Sequence, residues 1–141
     1  MATETTLILF KPDAVSKGLT GTVLDRFLKK GFLVRGLKMM SLSDELLAEH
    51  YSHIADKPFF PGLKAFMQET PVIALALEGE NVIAEVRDLL GPTDSTVAAQ
   101  GTIRGDFGVD MQTNVCHASD GPDTAVAELK RFFGQGEIFS Y

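Results

Sequence analysis

Pro71-Val72-Ile73-Ala74-Leu75-Ala76-Leu77 is seven residues without a charge or a hydrogen-bonding side chain. A strand with one face in water alternates apolar and polar positions, so a run this continuous reads as a strand buried on both faces. Val82, Ile83, Val86, Leu89 and Leu90 follow at helical spacing and end at Gly91-Pro92. Before the strand, Leu63 to Met67 forms a short helical piece after the breaker Pro58-Phe59-Phe60-Pro61-Gly62. Further upstream, Thr5 to Lys11 is a short β-rich run closed by a turn at Pro12-Asp13. Leu19, Val23, Leu24, Phe27 and Leu28 then share one helical face, with Gly31 as a stop. Phe32 to Met40 continues as a second strand, and Ser43 is placed to cap a helix whose first turn holds Asp44 and Glu45.

Downstream, Gly91 to Thr113 has little periodicity, and a segment of that length in a small domain is usually functional. Asn114 to His117 is a short strand, and Ser119 or Asp120 caps a last helix through Ala125, Val126, Leu129, Phe132 and Phe133. The order is β-α-β, two extra helical pieces, β-α-β and a terminal helix. Such a split pair gives an α+β fold, a ferredoxin-like βαββαβ antiparallel sheet covered by helices, with inserted helices and a long functional loop. A small parallel α/β sheet is the alternative order.

The chain has 141 residues, 45% of them apolar and 23% charged, which suits one domain over residues 1–141. Thirteen basic against nineteen acidic side chains leave a net charge of -6. That balance argues against an extended nucleic-acid partner, which needs a basic track. The single cysteine, Cys116, forms no internal disulfide and points to a reducing compartment. Met1-Ala2-Thr3-Glu4 shows no signal peptide, and no apolar run approaches the ~20 residues of a membrane helix. A cytoplasmic protein is expected.

Several short patterns fail on chemistry. There is no G-x-x-x-x-G-K-[ST] phosphate loop. Asp106-Phe107-Gly108 spells a protein-kinase triplet, but its companion motifs are missing. His117, Ser119 and Asp120 lie too close in sequence to aim at one another as a hydrolase triad. Cys116 and His117 are neighbours on a strand and point to opposite faces. His50 and His53, beside Glu49, lack further convergent ligands for zinc and read as a solvated helix face. What remains is Lys11 at a strand end, Arg87 on a helix and Arg104 among glycines, with His117 just before a helix. Each cation alone reads as a surface charge; together they make a phosphate clamp, since the arginine fork suits phosphate oxygens. Both readings stand at this point.

Asn114-Val115-Cys116-His117-Ala118-Ser119-Asp120 closely resembles the N-x-x-H-G-S-D signature of nucleoside diphosphate kinases. The resemblance extends over nearly the whole chain: T-L-x-x-x-K-P-D-A at Thr6 to Ala14, K-P-F-F at Lys57 to Phe60, the block Pro71 to Asn81, and Gly101 to Phe107. The family's fold is the ferredoxin-like one. The resemblance implies ping-pong transfer of the γ-phosphate of ATP or another nucleoside triphosphate to a nucleoside diphosphate. His117 would be the nucleophile, Glu128 its orienting carboxylate, and Lys11 and Tyr51 further catalytic groups. A neutral imidazole attacks, and a histidine with the ordinary pKa of about 6.5 is mostly neutral at pH 7.

By the same resemblance, Lys11 and Asn114 serve the reacting phosphate and the sugar 3′-hydroxyl. Arg87, Thr93 and Arg104 serve the distal phosphates, and Phe59 stacks on the base while Phe60 joins the core. Mg²⁺ is the implied cofactor, held by phosphates and water rather than by a protein cage. The family forms homo-oligomers, and the apolar tail Gln135 to Tyr141 suits a partner surface. Four positions depart from the family's pattern. Ala118 stands for glycine, which strains the backbone if φ is positive, and Gly121 stands for serine. Ser95 and Gln100 stand for prolines of the long loop, and Met111 lies opposite the stacking aromatic. Two rivals remain on the same fold: a nucleotide-binding module without transfer, and a purely structural protein.

Overall fold

Alternation within the two inner strands accounts for their unbroken apolar character. In the computed structural model, which describes residues 3–141, β1 (Thr3–Phe10) turns Ile8 and Phe10 to one face of the sheet and Leu7 and Leu9 to the other. Met1 and Ala2, read above as part of a terminus without a signal peptide, lie outside the described residues. β3 (Val72–Glu80) likewise sends Ile73, Leu75 and Leu77 one way and Val72, Ala74 and Ala76 the other. The two strands pair antiparallel from Thr3 opposite Glu80 to Phe10 opposite Ile73. β2 (Leu33–Met40) adds outside β3, and β4 (Cys116–Ala118) outside β1, both antiparallel, giving the order β2-β3-β1-β4. This is the ferredoxin-like sheet, and the parallel alternative is excluded.

On one face lie α2 (Thr20–Lys29) and α5 (Val82–Leu90), which bury Val23, Phe27, Val82, Ile83, Val86 and Leu90 against Ile8, Phe10 and Leu75. On the other lie α3 (Asp44–His50), α4 (Phe60–Met67) and α7 (Pro122–Phe132). There the small Ala74 and Ala76 leave room for Phe60, Phe66, Met67 and Phe132. No helix among the described residues is long and apolar enough to cross a membrane.

Three local expectations change. Pro12–Ser16 is a short helix, α1, rather than a turn, because Pro12 presets φ at its first position and Asp13 suits its first turn. α7 starts one residue beyond Gly121, with Pro122 at its first position; neither Ser119 nor Asp120 caps it. The segment after Gly91 contains a 3₁₀ turn at Ser95–Val97, capped by Asp94, and α6 (Ile103–Phe107), capped by the Thr102 hydroxyl. The C-terminal tail folds along its own β2. Arg35 sits at a bulge there, its carbonyl accepts from the Phe139 amide at 2.8 Å, and its side chain contacts Glu78 and Ser140. Phe139 and Tyr141 remain exposed.

Candidate active site

β4 sets the orientation of the whole site. Cys116 and Ala118 enter the core under α2 and α5, so His117 points to the opposite face, where α7 passes. Glu128, eleven residues on, meets it there: His117 Nε2 lies 2.9 and 3.0 Å from the two carboxylate oxygens. The Ser119 hydroxyl donates to Glu128 Oε1 at 2.6 Å. Burial alone would push the Glu128 carboxyl up. The hydrogen bonds from His117 and Ser119 and the nearby imidazoles outweigh it and hold the group below the usual range. An ionised Glu128 accepts from the Nε2–H of His117, which leaves the ring's lone pair on Nδ1. Ser119 is a site residue that sequence reading took for a cap; nothing in its spacing reveals a partner on α7.

The backbone before His117 is strained and held. Val115 has φ of 78°, in the left-handed region that β-branched residues avoid. Its amide donates to the buried carboxylate Asp13 Oδ2 at 3.0 Å, and its carbonyl accepts from the Lys11 amide at 2.9 Å. Two residues just beyond the end of β1 therefore fix the entry to β4. Ala118, by contrast, is not among the positive-φ residues and sits in β4, so its methyl group causes no strain. Gly121 has an extended backbone with open space around it.

The three cations converge, but in a way the sequence does not disclose. Lys11 Nζ donates to the Gln112 carbonyl and to Asn114 Oδ1, both at 2.8 Å. Burial, with Arg104 adding to it, pulls the Lys11 pKa down to about 8. Arg104 is buried and spends its fork on three carbonyls: Asn114 at 3.2 Å, Gly91 at 3.1 Å and Cys116 at 2.7 Å. Arg87 Nη1 reaches the Ala118 carbonyl at 3.2 Å. The cations thus wrap the backbone that carries His117 and face the cleft with the donors left over. Asn114 is buried and fully engaged; its amide nitrogen donates to the Thr93 and Met111 carbonyls at 3.0 Å each.

These groups open on a cleft of about 1110 Å³, and each of the nine residues singled out above lines it: Lys11, Tyr51, Phe59, Arg87, Thr93, Arg104, Asn114, His117 and Glu128. Phe59 is 57% exposed at its rim while Phe60 is in the core, as expected. Burial pushes the Tyr51 hydroxyl up to about 12, so it remains a donor.

His50 overturns its reading as part of a solvated face. It is 6% exposed, and its ring packs edge-on against His117 and Tyr51, each at 4.7 Å, and against Phe132 at 5.0 Å. Its position three residues after the buried Leu47 was the available signal. Burial, then the neighbouring His117, lower its pKa to about 3. Among the described residues, His50, His117 and Glu128 are the group whose ligand atoms converge within 4.8 Å. Two imidazoles and one carboxylate do not suit Mg²⁺, which demands oxygen donors.

Residues 4–138 match the sequence family described as nucleoside diphosphate kinase. The chain belongs to the nucleoside diphosphate kinase family. A nucleoside diphosphate kinase of Parabacteroides distasonis is 50% identical over 98% of this chain and 90% of its own length. One from Staphylothermus marinus is 45% identical over the full length of both. Among solved structures, the Aquifex aeolicus nucleoside diphosphate kinase superposes with a TM-score of 0.91 at 45% identity, covering 97% of this chain and 99% of its own. A halophilic nucleoside diphosphate kinase from Halobacterium salinarum, in complex with CDP, gives 0.95 at 41% identity, covering 99% and 93%. Nucleoside diphosphate kinases move phosphate between nucleotides by way of a phosphohistidine, and this chain is a phosphotransferase of that kind.

Proposed function

We propose that His117 is the phosphate carrier and that residues 1–141 work as one kinase domain. The supporting observation is the double contact of His117 Nε2 with Glu128, which leaves Nδ1 as the free nucleophile on the cleft side. In the first half-reaction the Nδ1 lone pair attacks the γ-phosphorus of a nucleoside triphosphate such as ATP. The bond from that phosphorus to the bridging oxygen breaks, and the electron pair leaves with the diphosphate. Glu128 holds the Nε2 proton and balances the positive charge that develops on the ring. After nucleotide exchange, a terminal oxygen of the incoming diphosphate attacks the phosphorus, and the P–N electron pair returns to Nδ1.

Lys11 and the spare donors of Arg104 and Arg87 offset charge on the phosphates, Tyr51 donates from the floor, Thr93 and Asn114 line the sugar and phosphate side, and Phe59 takes the base. The CDP complex of the Halobacterium salinarum relative supports a nucleotide in this cleft. Mg²⁺ would be held by the nucleotide's own phosphate oxygens and water and would offset their charge; among the described residues no cluster of oxygen ligands is placed to cage it. The protein acts in the cytoplasm as a homo-oligomer on small nucleotides, without an extended nucleic acid or a membrane.

Incubation with γ-labelled ATP tests the assignment. Wild type takes up acid-labile, base-stable label on His117, and GDP removes it as GTP. Label retained by His117→Ala, or absent from wild type, overturns the reading. Nothing in the structure favours a silent binding module, since neither Ala118 nor Gly121 disturbs the site.

A further inference from the structure

Glu128 has two imidazole neighbours, and only one of them can use it well. His117 Nε2 is in hydrogen-bond contact, whereas His50 Nδ1 stands 3.7 Å from Glu128 Oε2. What keeps His50 off the carboxylate is a second partner at the same nitrogen. Arg131 Nη1, from α7, is 3.0 Å from His50 Nδ1, and Arg131 Nε is anchored 3.0 Å from Glu49 Oε2 on α3.

A guanidinium has five donors and no lone pair to accept with, so the contact requires His50 Nδ1 to be the acceptor. That condition admits one form of His50, neutral with its proton on Nε2. His50 Nε2 is indeed buried with no hydrogen-bond partner, so no second contact chooses the tautomer. A doubly protonated His50 would set two donors against each other at 3.0 Å and would then turn its charge on Glu128.

We propose that Arg131 is a positioning residue for phosphoryl transfer: bound to Glu49, it fixes His50 as a neutral acceptor and so reserves Glu128 for His117. The inference rests on His117 as the phosphate carrier. The charged and titratable groups around His50 all enter the balance. Glu128 and Arg131 face it from α7, His117 from β4, Glu49 lies beside it on α3, and Tyr51 and His53 follow it. Burial first, then His117, Arg131 and His53, keep His50 neutral against the pull of Glu128. With Arg131 gone, nothing holds the proton on Nε2, and an Nδ1–H form of His50 donates to Glu128 and loosens His117.

Single-turnover phosphorylation of His117 by ATP across pH 5.5 to 8.5 reads this out. Arg131→Met keeps the apolar stem and removes the donor. Its rate falls about threefold at every pH in that range, with KM for ATP within about twofold, because a neutral tautomer rather than a protonation is at issue. Arg131→Lys, which retains a donor to His50, lies nearer wild type. In the His50→Gln background the ring is gone, and adding Arg131→Met leaves the rate where His50→Gln alone puts it. A rate for Arg131→Met equal to wild type overturns the proposal, as does a loss that persists with His50→Gln. If Arg131→Met does not fold, Arg131→Ala with and without His50→Gln supplies the same comparison. Mapping the phosphorylated residue in wild type separates the two ideas. Phosphate elsewhere than His117 removes the carrier assignment, whereas phosphate on His117 with an unchanged rate removes only the role of Arg131.

Discussion

Arg104→Ala separates two uses of one side chain. A residue kept only to hold phosphate contributes little to the empty protein, and its loss is felt through the nucleotide. Arg104 instead donates to the carbonyls of Gly91, Asn114 and Cys116, tying both ends of the 91–116 segment to the strand that carries His117. Truncation leaves those three carbonyls short of a donor. The cleft is open to water, so we take the low end of the cost, about 1 kcal/mol for each, or about 3 kcal/mol altogether. At about 3–4 °C per kcal/mol for a chain of this size, Tm without nucleotide falls by about 10 °C. Arg87 has one such bond, at 3.2 Å, and is only half-buried, so Arg87→Ala costs within about 1 kcal/mol, or about 3 °C. Thermal unfolding followed by circular dichroism, without nucleotide, makes the comparison. Equal melting of the two variants, or an Arg104→Ala protein that melts with wild type, refutes the staple.

Three further outcomes follow from the site. Lys11 has a folded pKa of about 8 against an ordinary 10.5, so the unfolded chain binds the extra proton between those values and the empty protein gains stability as pH rises through that window. Nucleotide binding runs the other way: KM climbs above pH 8 as the amine loses its charge, and the climb is absent in Lys11→Arg. Ser119→Ala removes the buried donor to Glu128, at a cost of about 1.5–3 kcal/mol at neutral pH. Because the Glu128 carboxyl is held low in the folded state, its contribution is lost as pH falls through that folded value; the variant loses it at higher pH, which urea midpoints from about pH 3 to 7 record. Phe59→Ala loses about 1–3 kcal/mol of stacking for every base alike, with Tm unchanged because the ring is exposed; a purine-selective loss in KM would contradict the stacking role.

How much of this could be read in advance depended on where each residue finds its partner. β3 and the helices α2, α5 and α7 were legible because burial writes itself into sequence as period, continuous for a strand covered on both faces and 3.6 for a helix against a sheet. α1 and α6 were not, since five residues are too few to show a period; α6 hides behind a cap, Thr102, whose target is its own backbone. Of the nine cleft residues, Lys11, Arg87, Arg104 and His117 stand out by type and place and the other five only through the motif resemblance, and all nine share one cleft. Their bonding was not foreseeable. Arg104 is answered by carbonyls, which every residue has, so no pairing of residue types betrays it. His50 reads as polar and therefore wet, yet it is enclosed by Phe132 and His117 from segments more than sixty positions away. Ser119 likewise answers to a helix rather than to the turn that its position suggests it caps.

The three-residue length of β4 has a consequence for the order in which the molecule assembles. β1 and β3 pair over eight residues each and, with β2, make up most of the sheet, to whose core β4 adds Cys116 and Ala118. β4 adds three pairs, from Ile8 with Ala118 to Phe10 with Cys116, closing a loop of more than a hundred residues. So short a ladder at the end of so long a closure places its docking late in folding and early in local opening. The proposed nucleophile, His117, therefore rides on the strand with the fewest pairs to hold it. A chain whose main sheet is intact can still have His117 out of place, so on the proposed assignment turnover reads the docking of β4 as well as the chemistry.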